Sequence, residues 1–182
     1  MAATSGKERI LDGFLVASAR LGDRKALGLL AERWDARFRA HAWRLLGDSE
    51  AARDAAQEAW AEIVRGLPRL VDDLAFPAWA YRIVSRRCAR LVDAARRGRQ
   101  LEAAVAAEPP EGEAEEPDVE RLRRAIRALP PGQRAAVALY HFEEMSVAET
   151  AVALDVPAGT VKTRLMHARR KLRALCEEKD DA

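Results

Sequence analysis

Lys162, Thr163, Arg164, His167, Arg169, Arg170, Lys171 and Arg173 crowd one short stretch near the C-terminal end of this 182-residue chain. Cations at that density hold polyanions: guanidinium forks grip phosphate oxygens in pairs, and lysines add point charge. Thr160, Lys162, Thr163 and Arg164 come first and supply polar side chains that can meet base edges, and the cations beyond them suit backbone phosphates. A second cationic stretch runs from Trp79 through Tyr81, Arg82, Arg86, Arg87, Arg90, Arg96 and Arg97 to Arg99. Rings interleaved with arginines suit a single strand of nucleic acid, where stacking contributes ~1–3 kcal/mol per base and cations follow the phosphates. The alternative is that Trp79 and Tyr81 are core residues on a helix whose arginines keep it soluble. A third group, Asp54, Gln57, Glu58 and Glu62, is spaced to share one helix face. It is either a solvated strip or a docking site for a basic partner.

Each group needs an element to place it. Ahead of the C-terminal cations, Ser146 and Glu149 form a Ser-x-x-Glu capping box that starts one helix. Asp155-Val156-Pro157 marks a turn, since Asp tolerates left-handed backbone and Pro suits the opening of the next helix. Ala151, Leu154 and Val161 then fall where two crossing helices need small and apolar contacts. Ser146 to Arg173 therefore reads as a helix-turn-helix with a basic second helix, against the alternative of an amphipathic pair with a solvated charged face. The acidic strip belongs to a helix from Ser49 to about Leu67, whose inner stripe is Ala52, Ala55, Ala56, Ala59, Trp60, Ile63 and Val64. Leu70 to Ala75 is a loop by composition, and the aromatic-arginine helix starts at Phe76.

Composition agrees with helices throughout. Hydrophobic residues make up 49% and charged residues 33%, with 10 Gly and 8 Pro; Ala, Leu, Arg and Glu dominate, and these are strong helix formers. The net charge of +2 conceals segregation: residues 1–100 carry +6, residues 101–120 carry −8, and residues 121–182 carry +4. Two basic blocks flank an acidic strip, and each could meet a polyanion. The expected fold is all-α: a helical domain over residues 1–98, a flexible acidic linker over 99–117, a four-helix unit over 118–176 that ends in the helix-turn-helix, and an acidic tail over 177–182. No run approaches the ~20 apolar residues of a membrane span, and the N-terminal stretch lacks the apolar core of a signal peptide. Cys88 and Cys176 stand far apart, which suits a reducing cytoplasm and no disulfide framework. His41, His141 and His167 lack metal-ligand spacing, and no Gly-rich phosphate loop or nucleophile–base pairing is present, so neither catalysis, a metal nor a cofactor is expected.

Three motifs in order resemble the bacterial extracytoplasmic-function sigma factors, the minimal two-domain kind, over nearly the whole chain. Asp54-Ala55-Ala56-Gln57-Glu58-Ala59-Trp60 is similar to the family's Asp-Leu-x-Gln-Glu-x-aromatic signature. Phe76-x-x-Trp79-x-Tyr81-Arg82-Ile83 looks like its promoter-melting helix. Leu129-Pro130 and Gly159-Thr160-Val161-Lys162-Thr163-Arg164 are close to its Leu-Pro and Gly-Thr-Val-Lys-Ser-Arg pattern. The chain departs at Ala55 for Leu, at Ser85-Arg86 for Arg-Asn, and at Thr150, Ala153 and Asp155 for Ile, Ile and Gly.

The resemblance implies a transcription initiation factor that binds core RNA polymerase and promoter DNA. Asp54, Gln57 and Glu58 would dock on the β′ clamp helices, with the β flap as a further contact. Leu70, Asp72, Asp73, Phe76, Trp79, Tyr81, Arg82, Arg86 and Arg87 would open the minus-ten element and hold a flipped base of the non-template strand. Thr160, Lys162, Thr163, Arg164, Met166 and His167 would read the minus-thirty-five duplex, with Arg169, Arg170 and Lys171 on phosphate. The acidic linker would run toward the RNA exit channel, and an anti-sigma factor would control release. A duplex-binding helix-turn-helix regulator is the competing reading; it needs neither the acidic strip nor the aromatic-arginine helix.

Overall fold

The structure, a computed structural model, describes residues 6–101 and 117–177. Those residues form eight α-helices, with no strand among them: α1 (Gly6–Arg20), α2 (Arg24–Leu46), α3 (Ser49–Gly66) and α4 (Phe76–Leu101) in the first half. In the second half come α5 (Pro117–Arg127), α6 (Pro131–Val137), α7 (Val147–Leu154) and α8 (Ala158–Glu177). The expected acidic linker and tail lie almost wholly outside the described residues.

Local chemistry sets most helix boundaries. The Asp23 carboxylate accepts the Lys25 and Ala26 amides at the start of α2, and Asp48 accepts Ala51 N–H at 2.7 Å at the start of α3. Gly47 closes α2 at φ 76°, a left-handed position where the absence of a Cβ matters. Ser146 and Glu149 exchange the reciprocal bonds of the capping box, with Ser146 N–H donating to Glu149 at 2.9 Å. Asp155 takes φ 55°, ψ 46° at the turn, as its residue type suggested. One boundary differs from the sequence reading. The residue pattern reads Gln133 to Glu143 as a single helix, but after Val137 the chain widens into a π-helical turn, Ala138–Phe142. There Glu143 N–H donates to Ala138 O at 3.2 Å, and the extra residue brings both Leu139 and Glu143 inward.

Packing in the first half sets large residues against small ones. Ala52, Ala55, Ala56 and Ala59 of α3 are all buried, so α2 and α4 approach α3 closely. Trp34 and Phe38 of α2 fill the space between, with ring centroids 5.5 Å apart. Trp34 meets Phe76 edge-on at 5.5 Å, and Phe38 meets Tyr81 edge-on at 5.3 Å. Such pairs contribute ~0.5–1.5 kcal/mol beyond the area they bury. The aromatics of α4 therefore divide. Phe76 and Tyr81 are core residues, so for Tyr81 packing selects the second of the two readings that the sequence leaves open, and Trp79 is half-buried. In the second half Leu129, Ala136, Val137, Val161, Leu165 and Ala168 form a smaller core. The halves do not stand apart, however, since Ala138, Leu139, Met145 and Ala153 join the core of the first half.

His41 sits within this aromatic layer, fully buried, with Nε2 2.9 Å from Ser85 Oγ and its ring edge-on to Tyr81. Burial, reinforced by the Arg44 charge, pushes its pKa down to about 3. The folded chain keeps this imidazole neutral, whereas the unfolded chain protonates it below about pH 6.5. Stability from this site is therefore complete above that pH and is lost as pH falls from 6.5 toward 3, at up to about 1.4 kcal/mol per unit. We expect urea denaturation to show a smaller loss of stability between pH 6.5 and 5 in His41→Gln than in the parent, by about 2 kcal/mol. Parallel profiles would contradict the assignment.

Candidate nucleic-acid interface

Three surfaces carry the residues singled out by chemistry. On α3, Asp54, Gln57 and Glu58 point outward, with Asp54 69% and Glu58 58% exposed at the side chain. Their exposure follows from the alanine stripe, which turns the opposite face of α3 inward. Glu58 pairs with Arg87 at 2.6 Å, and the next acid along the face, Glu62, pairs with Arg86. The acidic strip and the arginines of α4 thus meet along the α3–α4 seam.

The second surface is a cleft of about 850 Å³ between the end of α3, the connecting turns and α4. Arg65, Arg69, Arg82 and Arg86 line it beside Glu62, and Leu70, Val71, Trp79 and Ile83 supply its apolar wall. Four guanidiniums against one carboxylate leave it strongly positive. An apolar wall under a cationic rim is the surface that an unstacked base and its phosphates require. Trp79 lies across Gly66, where an added Cβ would come within 2.8 Å of the indole. The sequence reading missed Gly66, Arg65 and Arg69. A basic residue at the end of a helix is common enough to pass unnoticed, and only the return of α4 brings these two arginines beside Arg82 and Arg86.

The minus-ten set is split by the fold. Trp79, Arg82, Arg86 and Arg87 present surface, and Asp72 is exposed. Asp72 caps the turn before α4 by accepting Leu74 N–H at 2.9 Å, and Asp73 pairs with Arg20 at 2.6 Å. Phe76 and Tyr81 are buried in the core and do not line the cleft, whereas Leu70, though buried, forms part of its apolar wall. Tyr81 Oη donates to the Glu143 carboxylate, and burial with that carboxylate drives the phenol pKa well above its usual range. The Cys88 thiol, deeper on α4, is likewise pushed up to about 12 by burial, which leaves it an inert packing residue.

The third surface is α8. Val161, Leu165 and Ala168 face inward at helical spacing, and Lys162, Thr163, Met166, Arg169, Arg170 and Lys171 face out. Thr160 and His167 are half-buried at the edges. Thr163 Oγ1 donates back to Gly159 O at 3.0 Å, which orients the side chain along the helix. Arg164 departs from this pattern: its guanidinium lies over Gly132 of α6, where a Cβ would come within 3.1 Å. Thr150 and Ala153 of α7 are both buried; Ala153 belongs to the core of the first half, and the Thr150 hydroxyl has no partner. Among the described residues no cluster of metal-ligating side chains is present, and no helix is long and apolar enough to cross a membrane.

Residues 30–98 match the family model of sigma-70 region 2, and residues 119–172 match that of sigma-70 region 4. The chain is 30% identical to the RNA polymerase sigma-H factor of Pseudomonas aeruginosa, over 88% of this chain and 91% of that protein. It is 33% identical to the ECF RNA polymerase sigma factor SigM of Mycobacterium tuberculosis (93% and 87%), and 31% identical to the ECF RNA polymerase sigma-E factor of Escherichia coli (91% and 94%). In fold it resembles CnrH, solved in complex with the cytosolic domain of CnrY, at a TM-score of 0.72 and 24% identity, covering 93% of this chain and 99% of that one. A similar likeness holds to the sigma factor RpoE of Bartonella quintana, solved with the anti-sigma factor NepR, at a TM-score of 0.73 and 20% identity over 85% and 99%. With both sigma-70 regions matched in order and relatives aligned over nearly their full length, the chain belongs to the extracytoplasmic-function branch of the sigma-70 family.

Proposed function

We propose that this chain binds core RNA polymerase and directs it to specific promoters, with no catalysis of its own. The observation that carries the reading is the adjacency of an exposed acidic strip on α3 and a four-arginine cleft between the end of α3 and α4, both within the region 2 match. A duplex-only regulator has use for neither. Asp54, Gln57 and Glu58 dock on the basic clamp helices of the β′ subunit, and the C-terminal domain meets the β flap. Trp79, Arg82, Arg86 and Arg87, joined by Arg65 and Arg69, hold the displaced minus-ten strand, with Leu70, Asp72, Asp73, Phe76 and Tyr81 shaping the pocket. Unstacking a base costs a few kcal/mol, and the apolar wall and phosphate contacts of the cleft offset it.

On α8, Lys162, Thr163, Arg164, Met166 and His167 enter the major groove at the minus-thirty-five element, with Thr160 beside them. Arg169, Arg170 and Lys171 hold the flanking phosphates. The acidic segment between the domains runs toward the RNA exit channel. The solved likenesses carry anti-sigma partners, which supports control of this chain by a protein of that kind in the cytoplasm.

Three measurements test the reading. Core RNA polymerase mixed with the chain should select and transcribe from discrete promoters in a pool of genomic fragments; tight sequence-specific binding by the free chain, indifferent to core polymerase, would sink it. Asp54→Arg should weaken association with core by at least about tenfold, because it sets like charge against like, while full-length affinity for duplex DNA is unchanged. Equal core affinity in mutant and parent counts against the docking role. Gly66→Ala should cost about 1–3 kcal/mol of stability by forcing the Trp79 indole off its seat, and should slow promoter opening without loss of core binding. Opening at the parent rate would remove Trp79 from the proposed pocket.

A further inference from the structure

The loop between α3 and α4 is held from outside by α1. Leu70 and Phe76 anchor its ends in the core, but between them Val71 is 93% exposed and Leu74 is 55% exposed. Two short turns fold it, Leu67–Arg69 and Asp73–Ala75, and the Asp72 carboxylate accepts Leu74 N–H within the second. These bonds fix each turn internally and do not place it against the cleft.

α1 supplies that placement, packing against both turns. Arg20, in its last turn, donates to the Asp73 carboxylate at 2.6 Å, and both side chains are partly buried. It holds this position although its Nε–H is buried without an acceptor. Two helical turns earlier the Leu74 side chain lies over Gly13, where a Cβ would come within 2.9 Å of Leu74 Cδ2. Gly13 and Arg20 stand seven residues apart, a spacing that puts both on one helix face. Glycine is less favourable than alanine inside a helix, and here the missing Cβ is the seat of Leu74. α1 is fixed in turn on α2: Leu15 and Val16 are buried, and the buried Asp12 carboxylate accepts from Arg33 Nε at 2.8 Å.

The other side of the loop faces the cleft. Leu70 and Val71 belong to its apolar wall, and Asp72 is extended between Val71 and the Asp73–Ala75 turn. A shift of that turn therefore passes to Val71 through two residues. Recognition geometry has to be held within about 0.5 Å by supporting contacts, and loops that read a ligand depend on a rigid scaffold for this. The sigma-70 region 2 match begins at residue 30, so α1 lies wholly ahead of it.

We propose that α1 is the positioning element of this loop: Arg20 through Asp73, and Gly13 as the seat of Leu74, set where Val71 stands in the cleft and so how strictly the minus-ten strand is read. The inference rests on the minus-ten reading of the cleft. Arg20 acts through Asp73 and is a positioning residue. The Asp73 carboxylate, taken up by Arg20, serves the loop rather than the strand.

The test uses the full-length chain with core RNA polymerase on a promoter that the pair selects. Permanganate reactivity reports opening, and discrimination is its ratio between that promoter and templates with single-base changes in the minus-ten element. Arg20→Gln is expected to lower the ratio about fivefold, the low end of what one mismatched base pair costs, and Gly13→Ala about twofold. Arg20→Lys, which keeps a charge within reach of Asp73, should restore most of the loss. Core affinity and melting temperature stay at parent values, because a partly exposed ion pair adds little stability and alanine suits a helix interior. Val71→Ala is measured alongside. Parent-like ratios in both α1 variants, with a reduced ratio in Val71→Ala, overturn the positioning role and leave the minus-ten reading standing. Parent-like ratios in all three overturn the loop's part in that reading as well. A ratio that falls only in step with core affinity or melting temperature makes Arg20 a structural residue and also overturns the proposal.

Discussion

One buried carboxylate organises the relation between the two halves of this protein. Withdrawing Glu143 from water costs several kcal/mol unless its oxygens are satisfied, and a buried charge deprived of its partners is strongly destabilising. Two arginines of α2 and the phenol of α4 satisfy it, all from the other domain. The requirement therefore acts as a positional constraint: the C-terminal domain must sit where Arg37, Arg44 and Tyr81 converge. Around that point the apolar contacts of Ala138, Leu139, Met145 and Ala153 extend the first domain's core into the second.

α4 is the element on which these demands meet. One side of it, through Phe76, Ala80 and Val84, is core. Another side presents Trp79, Arg82 and Arg86 to a cationic cleft, and its seam with α3 ties Arg86 and Arg87 to the acidic strip. A helix that packs, pairs and binds at once has few free positions. Three of its arginines are held by acids, Arg82 by Asp155, Arg86 by Glu62 and Arg87 by Glu58, which offsets the repulsion that Arg82 and Arg86 would otherwise feel from Arg134 and Arg164 across a narrow cleft. The pKa of Arg134 is lowered by burial first and then by the charge of Arg96, farther along α4. Surface pairs of this kind contribute only ~0–1 kcal/mol each, so they orient the arginines without locking them.

Much of this was legible in the residues themselves. The capping box, the left-handed Asp155 and the inward places of Ala151, Leu154 and Val161 are local signals, each complete within a turn or two of helix. The acidic strip was legible too, because an alanine stripe on one face of α3 leaves the other for solvent. Trp79 and Tyr81 were harder. They lie two residues apart, so they cannot share a helix face, yet periodicity alone does not say which one faces the core. Packing decides it: Tyr81 lies between Phe38, Trp34 and His41, and its hydroxyl finds Glu143. The cleft was half visible, through Arg82 and Arg86. Arg65 and Arg69 stayed hidden because their role depends on α4 folding back past the end of α3.

The sequence by itself determined what acts over short range: eight helices with their caps, the charge segregation that marks two polyanion-binding blocks, and the motifs that place the chain in its family. Those features depend on neighbours within a few residues, where side-chain spacing and backbone hydrogen bonding are settled together. Only the tertiary structure decided which face of α4 is core, which arginines share a cleft, and that the domains meet through Glu143. Each of these depends on residues 15 to 100 positions apart in the chain (Arg69 with Arg86, Tyr81 with Glu143, Arg44 with Glu143). No helical period carries information across that separation; it is supplied by the desolvation of a charge and by the shapes that fill one core.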